Sequence, residues 1–353
     1  SLSKSVNVLA VGFAVEEGLL SLEDKPTSFF PEKLPEDYDP LLLDITVRDL
    51  LRMTANSVSL SIAFNGVLSS WVTHYFRFRP PAPAGTRFFY ESGASFMLSA
   101  MVSKVTGRTV ADIVEERVFR PLGIDRYYWP VSPEGYTVGG WVLSLTTDAL
   151  ARLGLLFTRH GLWEGRQIVP RSWLEECCRM QVDFHAGEDT VLRGYGYQFW
   201  IGPGDLFMAV GAWGQAILCS PSRDLVCVLT AGAGEKDVNA AMHLLVDALY
   251  TKALPDTLPP DEAALAELRR LQAGLSLPTA PGAAGSDGER ALFGRTFRFP
   301  DNPRGIRTLS LRHMTGQCIL LTLGTDEGEK SFPAAWRRWE VSDLCHGYGG
   351  DPC

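Results

Sequence analysis

The chain opens with residues 1–20, SLSKSVNVLAVGFAVEEGLL, the stretch that says most about its architecture. Its apolar residues recur at helical spacing, and Gly18 provides a stop signal. Ser1 and Lys4 lie one helical turn apart, so a helix would carry both on one face. A lysine in that position can take the proton of the serine hydroxyl. The motif carries little weight alone, since composition yields about one Ser-x-x-Lys match in a chain of this length.

The composition is typical of a folded protein, and the sequence contains no long run of like charges. Of 353 residues, 46% are hydrophobic, and 33 basic against 41 acidic side chains give a net charge of −8. No block of like charges suits nucleic acid or an anionic membrane, and no apolar run reaches the roughly 18 residues of a transmembrane segment. We therefore expect no nucleic-acid partner and no membrane span. The sequence carries no signal for an oligomeric state.

Cysteine and histidine usage bears on compartment and metals. The seven cysteines are an odd number without a Cys-x-x-Cys pair, which favours reduced thiols and a cytoplasmic setting. The chain starts inside a helical pattern without an initiator methionine, so we expect its natural beginning, including any signal peptide, to be missing. None of the six histidines belongs to a His-x-His or His-Glu-x-x-His motif. The sequence therefore predicts no metal site and no cofactor.

Helical and extended patterns follow one another in blocks. Helices are predicted over residues 45–53, from Ser92 as the cap to about 105, over 110–119, from Thr146 or Thr147 as the cap to 157, and over 238–250 and 262–271. Antiparallel strands are predicted over 195–201, 206–210, 215–219 and 225–231, and further strands over 295–299, 308–313 and 318–323. Residues 278–288, rich in Pro, Gly, Ala and Ser, are typical of a linker.

Two further segments carry residues suited to a cleft. Tyr90 lies at a loop-to-helix junction in the segment FYESG at 89–93, where a tyrosine can expose its hydroxyl. The segment GAWGQ at 211–215 begins a strand after a short hairpin, and its glycines indicate close approach of a backbone or a ligand. Each segment also has a simpler interpretation, a core ring in the first case and a bulge in the second.

Taken together, these segments resemble the serine β-lactamase-like hydrolases. SLSKS at 1–5, EEG at 16–18, ITVRDLL at 45–51, YESG at 90–93, RPLGI at 120–124 and GAWGQ at 211–215 follow the order seen in that family. The resemblance covers nearly the whole chain and includes class C β-lactamases, penicillin-binding carboxypeptidases and esterases. It is strongest for the branch of 6-aminohexanoate-dimer hydrolases. Residues 304–310 resemble part of the C-terminal β module that some members carry.

The resemblance implies an α+β fold of the β-lactamase/transpeptidase type, in which an antiparallel sheet is flanked by helices beside a mostly helical lobe. We expect residues 1–23 and 189–252 to form the α/β lobe, with its N-terminal strands missing, and residues 24–188 the helical lobe. Residues 253–290 would be a helix and linker, and residues 291–353 a small C-terminal β module. The active cleft would lie between the two lobes.

The resemblance also implies roles for individual residues. Ser1 would be the nucleophile, Lys4 its proton partner and Tyr90 a base or proton shuttle. Ser92 would contact the substrate or the lysine. In the other wall of the cleft, formed with Trp213 and Gly214, the backbone N–H of Gln215 would join that of Ser1 as an oxyanion hole. The partner that the resemblance implies is a small-molecule ester, amide or lactam substrate. These residues would cleave an ester or amide bond of such a substrate through an acyl-enzyme.

The sequence leaves open which group is the base. Lys4 can serve only if burial or a nearby positive charge lowers its pKa, and Tyr90 only if nearby cations lower its pKa. At 212–214 the chain has Ala-Trp-Gly, without the cation with which relatives hold a β-lactam carboxylate. Trp141, Trp200 and Trp213 are candidates for a pocket lining, although core packing is the commoner role of tryptophan.

Several other functions remain compatible with the sequence. A β-lactamase or a D-amino-acid peptidase would share the fold and the nucleophile. A non-catalytic homologue could retain the cleft as a binding site, because fold does not guarantee chemistry. An α/β-hydrolase is disfavoured, since the chain contains no Gly-x-Ser-x-Gly elbow.

Overall fold

The computed structural model describes residues 2–56, 70–184, 190–251, 259–275, 288–303, 305–314, 318–326 and 328–335. Ser1 and nearly all of the predicted linker at 278–288 lie outside the described residues. The chain divides into two units, Ser1–Ala253 and Leu254–Cys353. The finer division into lobes, linker and module given above remains a prediction.

The helices of the first unit include one that is buried along most of its length. In chain order they are α1 (Leu2–Glu16), α2 (Pro26–Phe29), α3 (Val47–Leu51), α4 (Trp71–Phe76), α5 (Ser92–Thr106), α6 (Val110–Val114), α7 (Thr147–Thr158), α8 (Arg171–Cys178) and α9 (Glu235–Thr251). Every residue of α1 from Ser3 to Ala14 is buried, as expected of a helix that is apolar on nearly all sides. Gly18, at φ 69°, follows its end.

The strands of the first unit form one main sheet and two small hairpins. The small pairs are β1 (Tyr127–Tyr128) with β2 (Ser144–Leu145), and β3 (Leu162–Trp163) with β4 (Arg166–Gln167). The main sheet contains β5 (Val182–Asp183), β6 (Gly194–Tyr195), β7 (Trp200–Ile201), β8 (Phe207–Gly211), β9 (Gln215–Ser220) and β10 (Leu225–Leu229). Its spatial order is β10-β9-β8-β7-β6-β5 with every pair antiparallel, so the predicted meander is confirmed.

The two faces of this sheet pack against different helices. Phe207 and Ala209 of β8 belong to the same buried cluster as the apolar residues of α1. Met208, between them in the strand, packs in a second cluster with Val238 and Met242 of α9. Alternate side chains of a strand point to opposite faces, so α1 and α9 cover opposite sides of the sheet. The predicted antiparallel sheet flanked by helices is confirmed.

Two elements differ in form from the sequence prediction, and the structure decides between two predicted caps. Residues 195–201 form the hairpin β6–β7 where one strand was predicted, because Gln198 adopts φ 63° and reverses the chain. The helix predicted over 110–119 widens after α6 into a π-helical turn, Glu115–Phe119. Thr146, of the two threonines considered, caps α7 by accepting a hydrogen bond from the N–H of Ala149 at 3.2 Å. The short helices α4 and α8 were not predicted.

The second unit contains α10 (Glu262–Gly274), α11 (Glu289–Leu292) and a four-stranded antiparallel meander. Its strands are β11 (Thr296–Arg298), β12 (Ile306–His313), β13 (Cys318–Thr325) and β14 (Gly328–Ala335), paired in that order. The small C-terminal β module is thus confirmed. Strand β14 was missed because its charges and Pro333 weaken the extended pattern, although proline is tolerated in an edge strand.

Two kinds of feature are absent from the described residues. No described helix combines the length and apolarity needed to cross a bilayer. Within the described ranges, no group of three or more His, Cys, Asp or Glu side chains is arranged to hold a metal ion.

Candidate active site

Lys4 lies in the first turn of α1, and its ammonium end is enclosed. The residue is only 1% exposed, although lysine is among the residues least often buried. Its Nζ donates hydrogen bonds to the backbone carbonyl of Gly140 at 2.6 Å and to Ser92 Oγ at 2.9 Å. The structure therefore joins the first predicted motif to the second. Ser1, three positions before Lys4, lies outside the described residues.

Ser92 can accept this bond because its neighbour caps the helix in its place. Ser92 was predicted as the cap of α5, and the structure corrects this. Glu91 has extended dihedrals, and its carboxylate accepts a hydrogen bond from the N–H of Ala94 at 2.7 Å. Ser92 is then the first helical residue, and its hydroxyl points to Lys4 and not to the helix backbone.

The carbonyl that accepts from Lys4 belongs to a loop that approaches both motif helices closely. A Cβ on Gly140 would lie 2.7 Å from the backbone oxygen of Ser92. A Cβ on Gly139 would lie 2.7 Å from both Asn7 Nδ2 and the backbone oxygen of Ser95. Only glycine permits such an approach, because any larger residue would push the loop away.

The same loop is held at its far end. The N–H of Leu143 donates to Ser3 Oγ at 3.0 Å, so two consecutive residues of α1, Ser3 and Lys4, bind it. Between these anchors Val142 adopts φ 61°. A β-branched residue in the left-handed region is strained, and such strain persists only where the surroundings enforce it.

Burial controls the proton affinity of Lys4. Desolvation lowers its pKa from the ordinary 10.5 to about 7, while the nearby charge of Glu91 raises it. At neutral pH a substantial fraction of the amine is therefore unprotonated. This meets the condition under which the sequence allowed Lys4 to act as a base.

Tyr90 lies beside the lysine and has the opposite tendency. Lys4 Nζ is 5.0 Å from the centroid of the Tyr90 ring. The half-buried ring stacks on Trp200 with a centroid separation of 4.9 Å, and Tyr195 meets it edge-on at 6.0 Å. Burial raises the pKa of the Tyr90 hydroxyl. The hydroxyl consequently keeps its proton at neutral pH and is suited to donate it.

The third predicted motif forms the turn between β8 and β9, two strands that pack against α1. Trp213 is 59% exposed at φ 59°. Gly214 has φ 89°, and a Cβ there would lie 2.9 Å from the Cβ of Ala231. The side chain of Gln215 donates to the carbonyl of Ala231. The shape of this turn is thus fixed by its neighbours, while the roles predicted for Trp213, Gly214 and Gln215 remain predictions.

The other two tryptophans considered as pocket lining are half-buried. Trp200 supports Tyr90 as described above. Trp141, next to Gly140, stacks on Trp71 with ring centroids 5.5 Å apart. Both pack against other rings, in line with the core alternative.

Sequence reasoning missed three residues that shape this site. Gly140 supplies the carbonyl, Glu91 supplies the cap and a charge, and Gln198 ties the surrounding helices together. The Gly139–Gly140 pair was a usable signal, because consecutive glycines indicate close backbone approach. Nothing in the local sequence distinguishes Glu91 as a cap or Gln198 as a buried residue.

Comparison with curated proteins finds distant relatives. An uncharacterized protein of Alkalihalophilus pseudofirmus is 26% identical over 261 residues, which are 65% of this chain and 71% of the relative. The beta-lactamase of Escherichia coli K12 is 26% identical over 134 residues, 38% of this chain and 34% of that protein.

Solved structures share the architecture. A Bacillus anthracis protein assigned as a 6-aminohexanoate-dimer hydrolase superposes with a TM-score of 0.58 at 20% identity, covering 72% of this chain and 73% of that one. EstCE1, a hydrolase with promiscuous acyltransferase activity, has a TM-score of 0.56 at 16% identity, covering 69% and 83%. At these identities the likeness shows the β-lactamase/transpeptidase-like fold alone. The family model for beta-lactamase matches residues 1–251, most of the chain, and the protein therefore belongs to the beta-lactamase family.

Proposed function

We propose that this protein is a serine hydrolase that cleaves ester or amide bonds of small molecules through an acyl-enzyme, with Ser1 as nucleophile and Lys4 as base. The observation that carries the proposal is the buried amine of Lys4, which is held by two acceptors and has a pKa lowered to about 7. A structural lysine gains nothing from such burial, since desolvation of the ammonium is costly. A base that operates near neutral pH needs it.

The hydrogen-bond inventory of Lys4 supports the same role. A neutral amine has two N–H donors and one lone pair. The carbonyl of Gly140 and the hydroxyl of Ser92 take the two donors. The lone pair then occupies the remaining tetrahedral position, where it can accept the proton of a third group. We assign that group as the hydroxyl of Ser1, three residues earlier in the chain.

The proposed reaction has two balanced halves. Ser1 Oγ forms a bond to the substrate carbonyl carbon while its proton passes to Lys4 Nζ, and the carbonyl electrons become an oxyanion. Collapse of this intermediate breaks the bond to the leaving group, which takes a proton from the Tyr90 hydroxyl, and Lys4 returns its proton to Tyr90. Water then attacks the ester carbonyl of the acylated Ser1 and passes its proton to Lys4. Ser1 Oγ leaves with a proton from Tyr90, which Lys4 reprotonates, and the acid and the free serine are released.

The directions of the pKa shifts of Lys4 and Tyr90 bear on which residue is the base, a question that the sequence left open. Lys4 is shifted towards the neutral amine and Tyr90 towards the neutral phenol. A pair whose environments favour a free base in one member and a bound proton in the other is suited to general base and general acid. This supports Lys4 as the base and Tyr90 as the donor to the leaving group.

The turn at 211–215 favours an uncharged substrate. Its large exposed side chain is Trp213, and the neighbouring Ala212 and Gly214 carry no charge. A β-lactam carboxylate requires a positive partner, whereas an aromatic face suits an apolar or neutral group. An ester or linear amide therefore fits better than a β-lactam.

A fluorophosphonate probe and p-nitrophenyl butyrate test the proposal directly. We expect labelling and turnover by the protein, and loss of both in Ser1→Ala and Lys4→Met. Ser103→Ala is the matched control, because its buried hydroxyl has no hydrogen-bond partner. Equal labelling of Ser1→Ala and the unmodified protein would overturn the assignment. Absence of turnover of any ester, linear amide or nitrocefin would favour a non-catalytic homologue.

A further inference from the structure

Gln198 is a buried residue whose polar groups contact several elements around Lys4. It is 1% exposed in the turn between β6 and β7. Its Oε1 accepts from Ser95 Oγ at 2.6 Å, and its Nε2 donates to the carbonyls of Leu50 at 3.1 Å and Leu51 at 2.9 Å. Its own carbonyl accepts from Ser5 Oγ at 2.6 Å.

These partners belong to the helices that carry the candidate site. Ser5 follows Lys4 on α1, and Ser95 lies one turn beyond Ser92 on α5. Leu50 and Leu51 are the last residues of α3. One side chain and its backbone therefore bridge three helices, two of which bear Lys4 and Ser92.

The backbone at this position is not relaxed. Gln198 adopts φ 63°, a region that glycine enters freely and that costs other residues of the order of 1 kcal/mol. Glycine would remove the strain but also every side-chain bond. An enforced unfavourable conformation at a fully bonded residue points to a required side chain and not only to a required turn.

We propose that Gln198 is a positioning residue, which acts through Ser5 and Ser95 to hold α1 and α5 at the spacing where Lys4 Nζ reaches Ser92 Oγ. Its kinetic consequence depends on the proposed hydrolase function, but its effect on Lys4 does not. A second direct hydrogen bond between these helices, from Asn7 Nδ2 to the carbonyl of Ser95 at 2.9 Å, involves the same residue of α5 that binds Gln198. Without Gln198 the two helices retain that bond and lose the bridge beside it.

Gln198→Met tests this with little change of volume, because methionine keeps the length of the side chain and removes the amide. The titration of Lys4 is measured by NMR in protein labelled with ¹³C-lysine. The resonance of Lys4 is identified as the one that is missing from the spectrum of Lys4→Met. We expect the titration midpoint of Lys4 to move upward, since looser packing admits water to the ammonium. In turnover we expect kcat to fall by at least about tenfold with KM little changed, because a misplaced base affects the chemical step.

Ser99→Ala is the matched control, since Ser99 is also buried on α5 and donates instead to the carbonyl of Thr137. It should lower the thermal midpoint without moving the Lys4 titration. If Gln198→Met fails to fold, Ser95→Ala removes one bond of the bridge and should give the same shift in smaller measure. An unchanged Lys4 titration in a folded variant overturns the positioning role. Loss of the proposed function alone would appear as absent Ser1-dependent turnover with the titration shift still present.

Discussion

Replacing Lys4 with methionine should change how the stability of the protein depends on pH. The pKa of Lys4 is about 7 in the folded protein, against 10.5 for an ordinary lysine. Between these values the unfolded chain binds more protons than the folded one, so the free energy of unfolding rises with pH. Methionine has similar length and does not titrate. The difference between the two proteins therefore isolates the titration of this one side chain.

The expected magnitude follows from the two pKa values. One bound proton changes the free energy of unfolding by about 1.4 kcal/mol per pH unit at most. Near pH 7 about half of the folded protein already holds the protonated amine, and near pH 9 the unfolded chain remains largely protonated. Integration between these limits gives the unmodified protein a gain of about 2 kcal/mol relative to Lys4→Met.

Urea unfolding at pH 6, 7, 8 and 9 measures this difference. Seven of the nine tryptophans lie in the unit Ser1–Ala253, so their fluorescence reports mainly on the unit that contains Lys4. Whatever packing Lys4→Met gains or loses is constant with pH and cancels when slopes are compared. Parallel stability curves from pH 7 to pH 9 would refute the argument, since they would mean that folding leaves the proton affinity of Lys4 unchanged.

Three further variants probe the surroundings of the lysine. Gly140→Ala places a methyl group 2.7 Å from the Ser92 carbonyl oxygen, so denaturant titrations should show a free energy of unfolding lower by about 1–3 kcal/mol. The control is Gly232→Ala, whose methyl group would have no atom within 4 Å. It should change the free energy of unfolding by no more than about 0.5 kcal/mol. Glu91→Gln keeps the oxygen that caps α5 but removes the charge that raises the pKa of Lys4. The midpoint of the acid limb of the pH–rate profile should therefore fall below about 7. A rise of that midpoint would contradict the electrostatic effect of Glu91. Tyr90→Phe keeps the stacking on Trp200 and removes the hydroxyl. It should lower kcat by about 100-fold for linear amides but far less for p-nitrophenyl esters, because the p-nitrophenolate leaving group needs no proton. Equal losses for both substrates would argue against Tyr90 as a proton donor.

The sequence predicted the main elements where the pattern was strong. The helix α1 and strands β8, β9 and β10 were all located within a few residues, because α1 is buried on almost every side and each of these strands is flanked by turn residues. The hairpin β6–β7 was missed because its reversal depends on the backbone of Gln198. Strand-forming residues surround Gln198, and its conformation is held by partners that are distant in the sequence.

The candidate site was only partly predictable. Motif residues Lys4, Tyr90 and Ser92 were identified through the family resemblance, and the structure brings them together. The sequence could not identify the carbonyl of Gly140 as a partner of Lys4. The acceptor is a backbone atom 136 positions from Lys4, and a backbone carbonyl is present whatever the side chain is. The proposal that Lys4 is the base likewise needed the packed structure, because burial is a property of the fold and not of a four-residue motif.

The partners of the lysine amine have a consequence for kinetics. A peptide carbonyl and a serine hydroxyl neither gain nor lose protons in the working range of pH, unlike the carboxylates that usually pair with lysine. Two groups that titrate against one another give two blended ionisation steps. Here both groups that accept from the amine are neutral, and the carboxylate whose charge acts on its pKa is Glu91. In Glu91→Gln the acid side of the Lys4 titration should therefore follow the simple curve of one ionisation, with unit slope.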